Sequence, residues 1–225
     1  MIFSEEIKFF CKRKEILEKY PIYLAQKRHD DLIEKFQLNE KTHITQGHEK
    51  RCPGIMDIIF YGYIVPSWSD ISIIVKDNQI ASILFADRDT QYSIFAPKSN
   101  INVNSNWCSG HLKITNPWYI KTEKNTNVIY DRLPYKNENI FEAATGLYDS
   151  SIDHQMHIFL KITNKDGHYM IKAGTPLLQI FPIKTASFKM TFVDNELQLD
   201  KQNYNDKFLS LLKRYNKKKF KYSFK

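Results

Sequence analysis

The sequence has 225 residues and a mass of 26.7 kDa, enough for one large domain with elaborated ends or for two small ones. Its 42% hydrophobic and 26% charged residues are typical of a folded protein, and its 7 Gly and 8 Pro exclude a collagenous or low-complexity chain. No apolar run approaches the length of about 18 residues that a membrane-spanning helix needs, and Glu5 and Glu6 stand where a signal peptide is basic. We therefore predict a cytoplasmic protein.

The formal net charge of +8 belongs to one end of the chain. Residues 207–225 contain eight bases and no acid, whereas residues 1–206 hold 25 bases against 25 acids. The body is therefore neutral, and any attraction to an anionic partner is expected from the tail.

The N-terminal region reads as a helical extension over residues 1–50. Ser4 is a good helix cap, and the apolar residues Ile7, Phe10, Cys11 and Leu17 fall near a period of 3.6. Pro21 is expected to end this helix, and a second helix is predicted over 26–38.

The middle of the chain, residues 51–203, reads as short strands with polar turns. The apolar runs 71–75 and 80–85 predict a hairpin, and residues 155–163 alternate between apolar and polar side chains. A turn at 165–167 precedes a further strand over 169–183, which is interrupted at 174–176. With a second hairpin predicted over 188–199, this pattern indicates a mainly β fold, an antiparallel sandwich or barrel.

The tail, residues 204–225, predicts a basic amphipathic helix that begins at Asn205 or Asp206. One interpretation is that its apolar face docks on the body while its last residues are solvated. Two others are an arm that binds nucleic acid and a helix that lies on an anionic membrane surface. The contact residues would be Lys213, Arg214, Lys217, Lys218, Lys219 and Lys221.

One stretch resembles a known enzyme family. Thr145-Gly146-Leu147-Tyr148-Asp149, followed by a strand and by Gly174-Thr175-Pro176-Leu177-Leu178-Gln179, is similar to the Gly-Val-Ile-Asp hairpin and the Gln-containing strand of dUTPases and dCTP deaminases. Arg132 lies 14 residues before Gly146, and Gln179 lies 33 after it, spacings similar to those of the family. The resemblance covers residues 118–184 and implies a β-clip or jelly-roll-like barrel. It also implies Arg132, Asp149 and Gln179 as ligand-binding residues. Ser69-Asp70-Ile71 also faintly resembles the first motif of this family.

The departures from this family fall on its chemistry. Leu133 stands where the family has a phosphate-binding serine, and Ile152 stands where a tyrosine packs on the sugar. The tail contains no glycine, whereas the family closes its site with a glycine-rich arm. Loss of these groups removes both positioning and charge stabilisation, so we expect the fold to be retained and the reaction to be lost.

The sequence also resembles an uncharacterised family of bacterial and phage proteins over about residues 50–190. The shared blocks are Cys52-Pro53-Gly54-Ile55-Met56-Asp57, Gly62-Tyr63-Ile64-Val65-Pro66, Asn116-Pro117-Trp118 and the stretch from Gly174 to Gln179. This resemblance implies no activity, although it is compatible with a protein that travels in a virion.

Two carboxylates are candidates for catalysis. Asp149 is implied by the dUTPase resemblance, and Asp57 lies in an apolar run where an ionised group is costly unless it is paired. A capping or turn role near the start of the domain is the commoner one for a carboxylate such as Asp57.

No metal site is predicted. His154 and His157 point to opposite faces if residues 155–163 form a strand, and the three cysteines are far apart, with no Cys-x-x-Cys. We therefore expect no cofactor, and Mg²⁺ enters only with the nucleotide-hydrolase interpretation.

Two functions follow as hypotheses. The first is a non-enzymatic module that assembles with itself, as a trimer by analogy with the resembling enzymes, or binds a partner. The alternative is a divergent nucleotide hydrolase or deaminase-like enzyme that uses Asp149, Arg132 and Gln179 with Mg²⁺.

Overall fold

The computed structural model of the chain describes residues 7–28, 58–95, 106–123, 125–134, 140–149 and 155–184. These residues form a mainly β structure, as the alternating pattern predicted. The six-residue helix α1 spans Lys14–Lys19. The strands are β1 (Ile7–Cys11), β2 (Tyr23–Leu24), β3 (Tyr63–Pro66), β4 (Ile71–Lys76), β5 (Gln79–Phe85), β6 (Tyr92–Phe95), β7 (Trp107–Thr115), β8 (Trp118–Thr122), β9 (Thr126–Asp131), β10 (Phe141–Ala143), β11 (Gly146–Tyr148), β12 (His157–Thr163), β13 (Gly167–Ile171) and β14 (Pro176–Lys184).

The strands pair antiparallel in sheets whose neighbours are mostly distant in sequence. The largest sheet has the order β11-β9-β14-β3-β2, and a four-stranded sheet has the order β10-β12-β7-β6. A three-stranded sheet runs β13-β4-β5, and β1 pairs with β8. The chain divides into two units, 1–40 with 59–186 and 41–58 with 187–225. Apart from Ile58, the second unit lies outside the described residues.

The predicted β4–β5 hairpin is confirmed. Its two-residue turn places Asp77 and Asn78 at φ 54° and 59°, the left-handed conformation that matches the twist of the strands. Ile71 and Ile73 point into the core, whereas Ile74 lies on the outer face.

The predicted alternation in β12 is also confirmed. Ile158, Leu160 and Ile162 are fully buried, as is Met156 just before the strand. After the turn at 164–166 the chain does not pair back on β12, because β13 forms its ladder with β4. The break predicted at Gly174-Thr175-Pro176 separates β13 from β14.

The helix predicted from Ser4 is wrong over Ile7–Cys11, which forms β1. The ladder runs from Ile7 opposite Thr122 to Cys11 opposite Trp118. Ile7, Phe9 and Cys11 pack against the core while the residues between them are exposed, a period of two that competes with 3.6 in a short segment. Ser4 lies outside the described residues.

Residues 12–28 of the predicted N-terminal extension, the other part that the structure describes, also join the body. Ile16 of α1 is 2% exposed and belongs to the main core, and β2 pairs with β3. Of the predicted second helix, residues 26–28 are helical and the remainder lies outside the described residues.

An ion pair ties the N-terminal segment to the loop after β5. The guanidinium of Arg13 donates from Nη1 to Asp87 Oδ2 at 2.6 Å and from Nε to Glu15 at 2.8 Å. Asp87 also accepts from the Thr90 hydroxyl at 2.7 Å and from the Asp89 N–H. Burial alone would raise the pKa of Asp87, but the hydrogen bonds from Arg13 and Thr90 outweigh it and lower that pKa.

Gly62, the first residue of the block that leads into β3, stands where the backbone requires a glycine. Its φ is 81°, and a Cβ atom there would overlap the carbonyl of Ile180 on β14. The following residues form β3, which lies between β14 and β2. The glycine of this block therefore allows the turn before β3 to approach the central strand β14 closely.

The hairpin predicted over 188–199 and the tail helix over 204–225 lie outside the described residues. Within the described part of the chain, no helix is long and apolar enough to cross a membrane.

Candidate functional site

The residues of the predicted nucleotide site share one sheet. Gly146 on β11 lies opposite Tyr130 on β9, and Tyr130 lies opposite Ile180 on β14. Gln179 is the next residue along β14 and lies opposite Asp131. Gly146 and Gln179 are therefore on strands separated by β9 alone.

Gly146 is required by its cross-strand neighbour. A Cβ atom at this position would overlap the ring of Tyr130, which lies across β11. Burial raises the pKa of Tyr130, as expected for a phenol enclosed by the sheet. The glycine is thus explained by packing.

Arg132 follows β9 and is engaged by acidic side chains. Its N–H donates to Asp131 Oδ1 at 2.8 Å, and the Thr145 hydroxyl donates to the same oxygen at 2.5 Å. Its guanidinium lies 3.4 Å from Glu142 Oε2, and Lys161 holds the other oxygen of Glu142 at 2.9 Å. The Arg132 side chain is 67% exposed, so a solvated ion pair partly neutralises it.

Gln179 is fully buried and has a structural contact. Its amide Nε2 donates to the carbonyl of Tyr61, the residue before Gly62, at 2.5 Å. This bond fixes the turn that leads into β3. A buried amide N–H needs such a partner, so this contact gives the glutamine a structural role.

Asp149 lies at the other end of the same strands. Tyr148, which precedes it, pairs with Val128, three residues before Asp131, a separation of about 10 Å along β9. The sheet thus brings Arg132 and Gln179 to one end and leaves Asp149 toward the other. Residues 150–154, which include the family position Ile152, lie outside the described residues.

Two further aspartates come from the sequence motifs. Asp57 lies outside the described residues. Asp70, in the stretch similar to the first family motif, accepts the Ala173 N–H at 2.8 Å and the Lys172 ammonium at 3.2 Å. These bonds, the Ala173 N–H first, lower the pKa of Asp70 and fix the corner before β14.

A Mg²⁺ site does not emerge from these groups. No three His, Cys, Asp or Glu side chains cluster within the ranges that the structure describes. The one carboxylate in the first-motif stretch is occupied by an amide and an ammonium.

The predicted contact residues of the tail, Lys213, Arg214, Lys217, Lys218, Lys219 and Lys221, lie outside the described residues.

Sequence reasoning missed the outer face of the four-stranded sheet. One row crosses all four strands, from Glu142 through Lys161 and His111 to Phe95. The next row places Phe159 opposite Lys113. The signal was available, because these residues alternate with the buried ones along β7 and β12.

The edge strand β6 is the second feature that the sequence did not indicate. Its residues Tyr92, Ile94 and Phe95 are 45%, 51% and 48% exposed. Within the described part of the chain, β7 pairs with one edge of β6 and no strand pairs with the other. The Tyr92 hydroxyl donates to the carbonyl of Ile83, which fixes the strand against β5.

Comparisons with known proteins return dUTPases among solved structures. The chain is similar to the EIAV dUTPase with 12% identity and a TM-score of 0.36, over 60% of this chain and 86% of that one. It is similar to a mutant dUTPase from phage phi11 of S. aureus with 10% identity and a TM-score of 0.35, over 60% and 84%. The dUTPase of Staphylococcus bacteriophage 80alpha gives 10% identity and a TM-score of 0.30, over 56% and 96%. No protein family and no curated protein matches the sequence.

Proposed function

We propose that this chain is a non-enzymatic module that assembles with a second copy of itself through the free edge of β6. The observation that supports this is an apolar edge strand whose other edge has no partner strand among the described residues. Proteins usually protect such edges with charges, proline, bulges or very short strands. The sequence Tyr92-Ser93-Ile94-Phe95 contains neither charge nor proline.

The other edges of the two larger sheets differ from β6. The strands β2, β10 and β11 have only two or three residues each. Among the edges of these two sheets, the four-residue apolar strand β6 is therefore the longest template for pairing.

The hydrogen bonds of β6 alternate in a way that suits a copy of itself. The Thr115 N–H donates to the Gln91 carbonyl at 2.9 Å, so Ser93 and Phe95 are expected to bond to β7 as well. The N–H and C=O groups of Tyr92 and Ile94 then point to the free edge.

Two copies of β6 are self-complementary in the register that this alternation defines. In an antiparallel pair centred on Ser93, Tyr92 of one copy lies opposite Ile94 of the other, twice. Both residues are those whose backbone groups face outward, and an aromatic residue opposite a β-branched one is a favourable cross-strand pair. The arrangement has the two-fold symmetry of most homodimers.

Analytical ultracentrifugation over a concentration series tests this proposal. The wild-type chain is expected to dimerise, and Ile94→Lys is expected to shift it to monomer because it puts two charges into the paired edge. Leu84→Lys is the matched control, since Leu84 is 69% exposed on the outer face of another sheet. Thermal melting of each variant verifies folding.

A second variant guards against an effect of Ile94→Lys on folding. Ile94→Pro removes the outward N–H and leaves the bonds to β7, so it should also dissociate the dimer. A wild-type monomer at all concentrations contradicts the proposal. A trimer that is indifferent to both variants contradicts β6 pairing and agrees with the analogy to the resembling enzymes.

The alternative function, nucleotide hydrolysis, is supported by the position of Arg132, which directly follows Asp131, the residue opposite Gln179. Nucleoside triphosphates with Mg²⁺ should then raise the melting temperature by mass action. Turnover that is lost in Asp149→Ala and kept in Asp89→Ala would establish this alternative. It would also refute the non-enzymatic proposal.

A further inference from the structure

We propose that the outer face of the four-stranded sheet binds single-stranded nucleic acid, with bases stacking on Phe95 and Phe159 and phosphates contacting Lys113 and Lys161. This proposal is independent of the β6 edge, because Ile94 and Tyr92 lie on the opposite side of the sheet from Phe95.

The two rings form a small aromatic platform. Phe95 and Phe159 meet edge to face, with centroids 5.8 Å apart and planes at 76°. Phe95 is 48% exposed, so it offers a ring surface to solvent from the edge strand. Exposed aromatic rings on a β-sheet are the usual stacking sites for unpaired bases.

Cations surround these rings. The Lys113 ammonium lies 5.9 Å from the centroid of Phe159, and Lys161 stands on the same strand as Phe159, two residues along. Arg132 forms an ion pair with Glu142, the first residue of the row that crosses the four strands. Among the described residues, the cationic side chains of Lys113, Lys161 and Arg132 therefore lie on or beside this face, with Glu142 between the last two.

The combination favours nucleic acid over an acidic peptide. An acidic peptide needs the cations alone, whereas a single strand uses the cations and the rings together. Duplex DNA keeps its bases stacked and inaccessible to the two rings. The sheet geometry is therefore most complementary to a strand whose bases are unpaired.

His111 lies in the same row, between Lys161 and Phe95. Burial, followed by the charge of Lys161, lowers the pKa of His111, so the imidazole is neutral at pH 7. Its neutrality leaves the ring available for stacking or hydrogen bonding beside Phe95.

Fluorescence anisotropy with labelled oligothymidylate and the full chain tests the proposal. Phe95→Ala and Phe159→Ala should each weaken binding about fivefold to more than a hundredfold, the range for loss of one stacked base. Lys113→Gln should lower the slope of log affinity against log salt by about 0.7. Lys76→Gln, on β4 of another sheet, is the matched control and should change neither.

The basic tail requires its own arm of the experiment, because it also attracts phosphates. A triple Lys217→Gln, Lys218→Gln and Lys219→Gln variant should weaken binding without abolishing the dependence on Phe159. If the tail variant abolishes binding and the two phenylalanine variants leave it unchanged, the proposal is overturned.

Two further outcomes also decide the question. Duplex DNA of equal length, or polyglutamate, should compete poorly with the single strand, and equal competition by either refutes a role for stacking. Circular dichroism and thermal melting check that each variant is folded. Because Lys113 is on the surface, its salt-slope effect remains decisive even if Phe159→Ala unfolds the chain.

Discussion

The ion pair between Arg13 and Asp87 holds the N-terminal segment against the loop after β5, and it should contribute measurably to the free energy of unfolding. Asp87→Asn keeps the shape of the side chain but has one acceptor oxygen, whereas Asp87 accepts from Thr90 and Arg13 at Oδ2 and from the Asp89 N–H at Oδ1. It also removes the negative charge that faces Arg13 at 2.6 Å. The substitution therefore removes the charge and one of the two acceptor positions of the network.

The magnitude follows from burial. The Arg13 and Asp87 side chains are 31% and 12% exposed, so the pair is shielded from solvent more than a surface pair. Hydrogen bonds to charged groups contribute about 1.5–3 kcal/mol, which is what we expect Asp87→Asn to cost. For a chain of this size the melting temperature should fall by about 3–12 °C.

The pH dependence supplies an independent check. Because the folded state lowers the pKa of Asp87 below its ordinary value of 3.8, its stabilisation is fully present above that value. The stabilisation disappears as the pH falls through the folded-state pKa. The difference in unfolding free energy between wild type and Asp87→Asn should therefore be constant near neutrality and shrink in acid.

Urea unfolding monitored by tryptophan fluorescence measures both effects. Asp89→Asn is the control, because Asp89 is exposed and uses only its backbone N–H in the network. Two results would contradict this reasoning: an equal loss of unfolding free energy in the two variants, or a loss in Asp87→Asn that stays unchanged in acid. Either result would mean that the ion pair does not stabilise the N-terminal segment.

Three further substitutions, the first with a control, test the backbone and the core of the sheet. Gly62→Ala should cost about 3 kcal/mol or more in urea unfolding, since strain at positive φ adds to the overlap with Ile180. Its control Gly174→Ala, with φ 86° and only an ordinary contact with the Tyr20 ring at 4.0 Å, should cost about 1 kcal/mol. Equal costs would show that the overlap is relieved. Asn78→Gly should raise stability by about 0.5–1 kcal/mol, measured as melting temperature, because glycine suits the second position of this turn. Gln179→Leu should cost about 0.5–1.5 kcal/mol by removing the amide that donates to the Tyr61 carbonyl.

The sequence pattern predicted the fold class and several elements because their signals are local. The β4–β5 hairpin has apolar runs of strand length around a turn of Asp77 and Asn78, and β12 alternates over its whole length. The helix predicted over residues 7–11 is wrong because five residues contain too few repeats to distinguish the two-residue period of a strand from the 3.6-residue period of a helix. Which strands pair could not be read from these patterns, since pairing joins β1 to β8 and β3 to β14 across more than a hundred residues.

The candidate site was harder to predict for a related reason. The spacing of Arg132, Gly146 and Gln179 is similar to that of the dUTPase family, and the ladders place Gly146 and Gln179 in one sheet, with Arg132 directly after β9. It did not indicate that Gly146 accommodates Tyr130 or that Gln179 holds the carbonyl of Tyr61. Those roles depend on neighbours from other strands, which the sequence does not identify. The sequence therefore suggested a ligand site where the structure shows packing contacts for Gly146 and Gln179.

The position of β14 has a consequence for how the protein is made. This strand lies between β9 and β3 in the largest sheet, yet all other described strands are synthesised before it. On the ribosome, the facing edges of β9 and β3 must therefore wait, unpaired, until residues 176–184 have left the exit tunnel. Stalled or truncated products that end before Pro176 are expected to aggregate or to recruit chaperones, while the finished chain closes its largest sheet late.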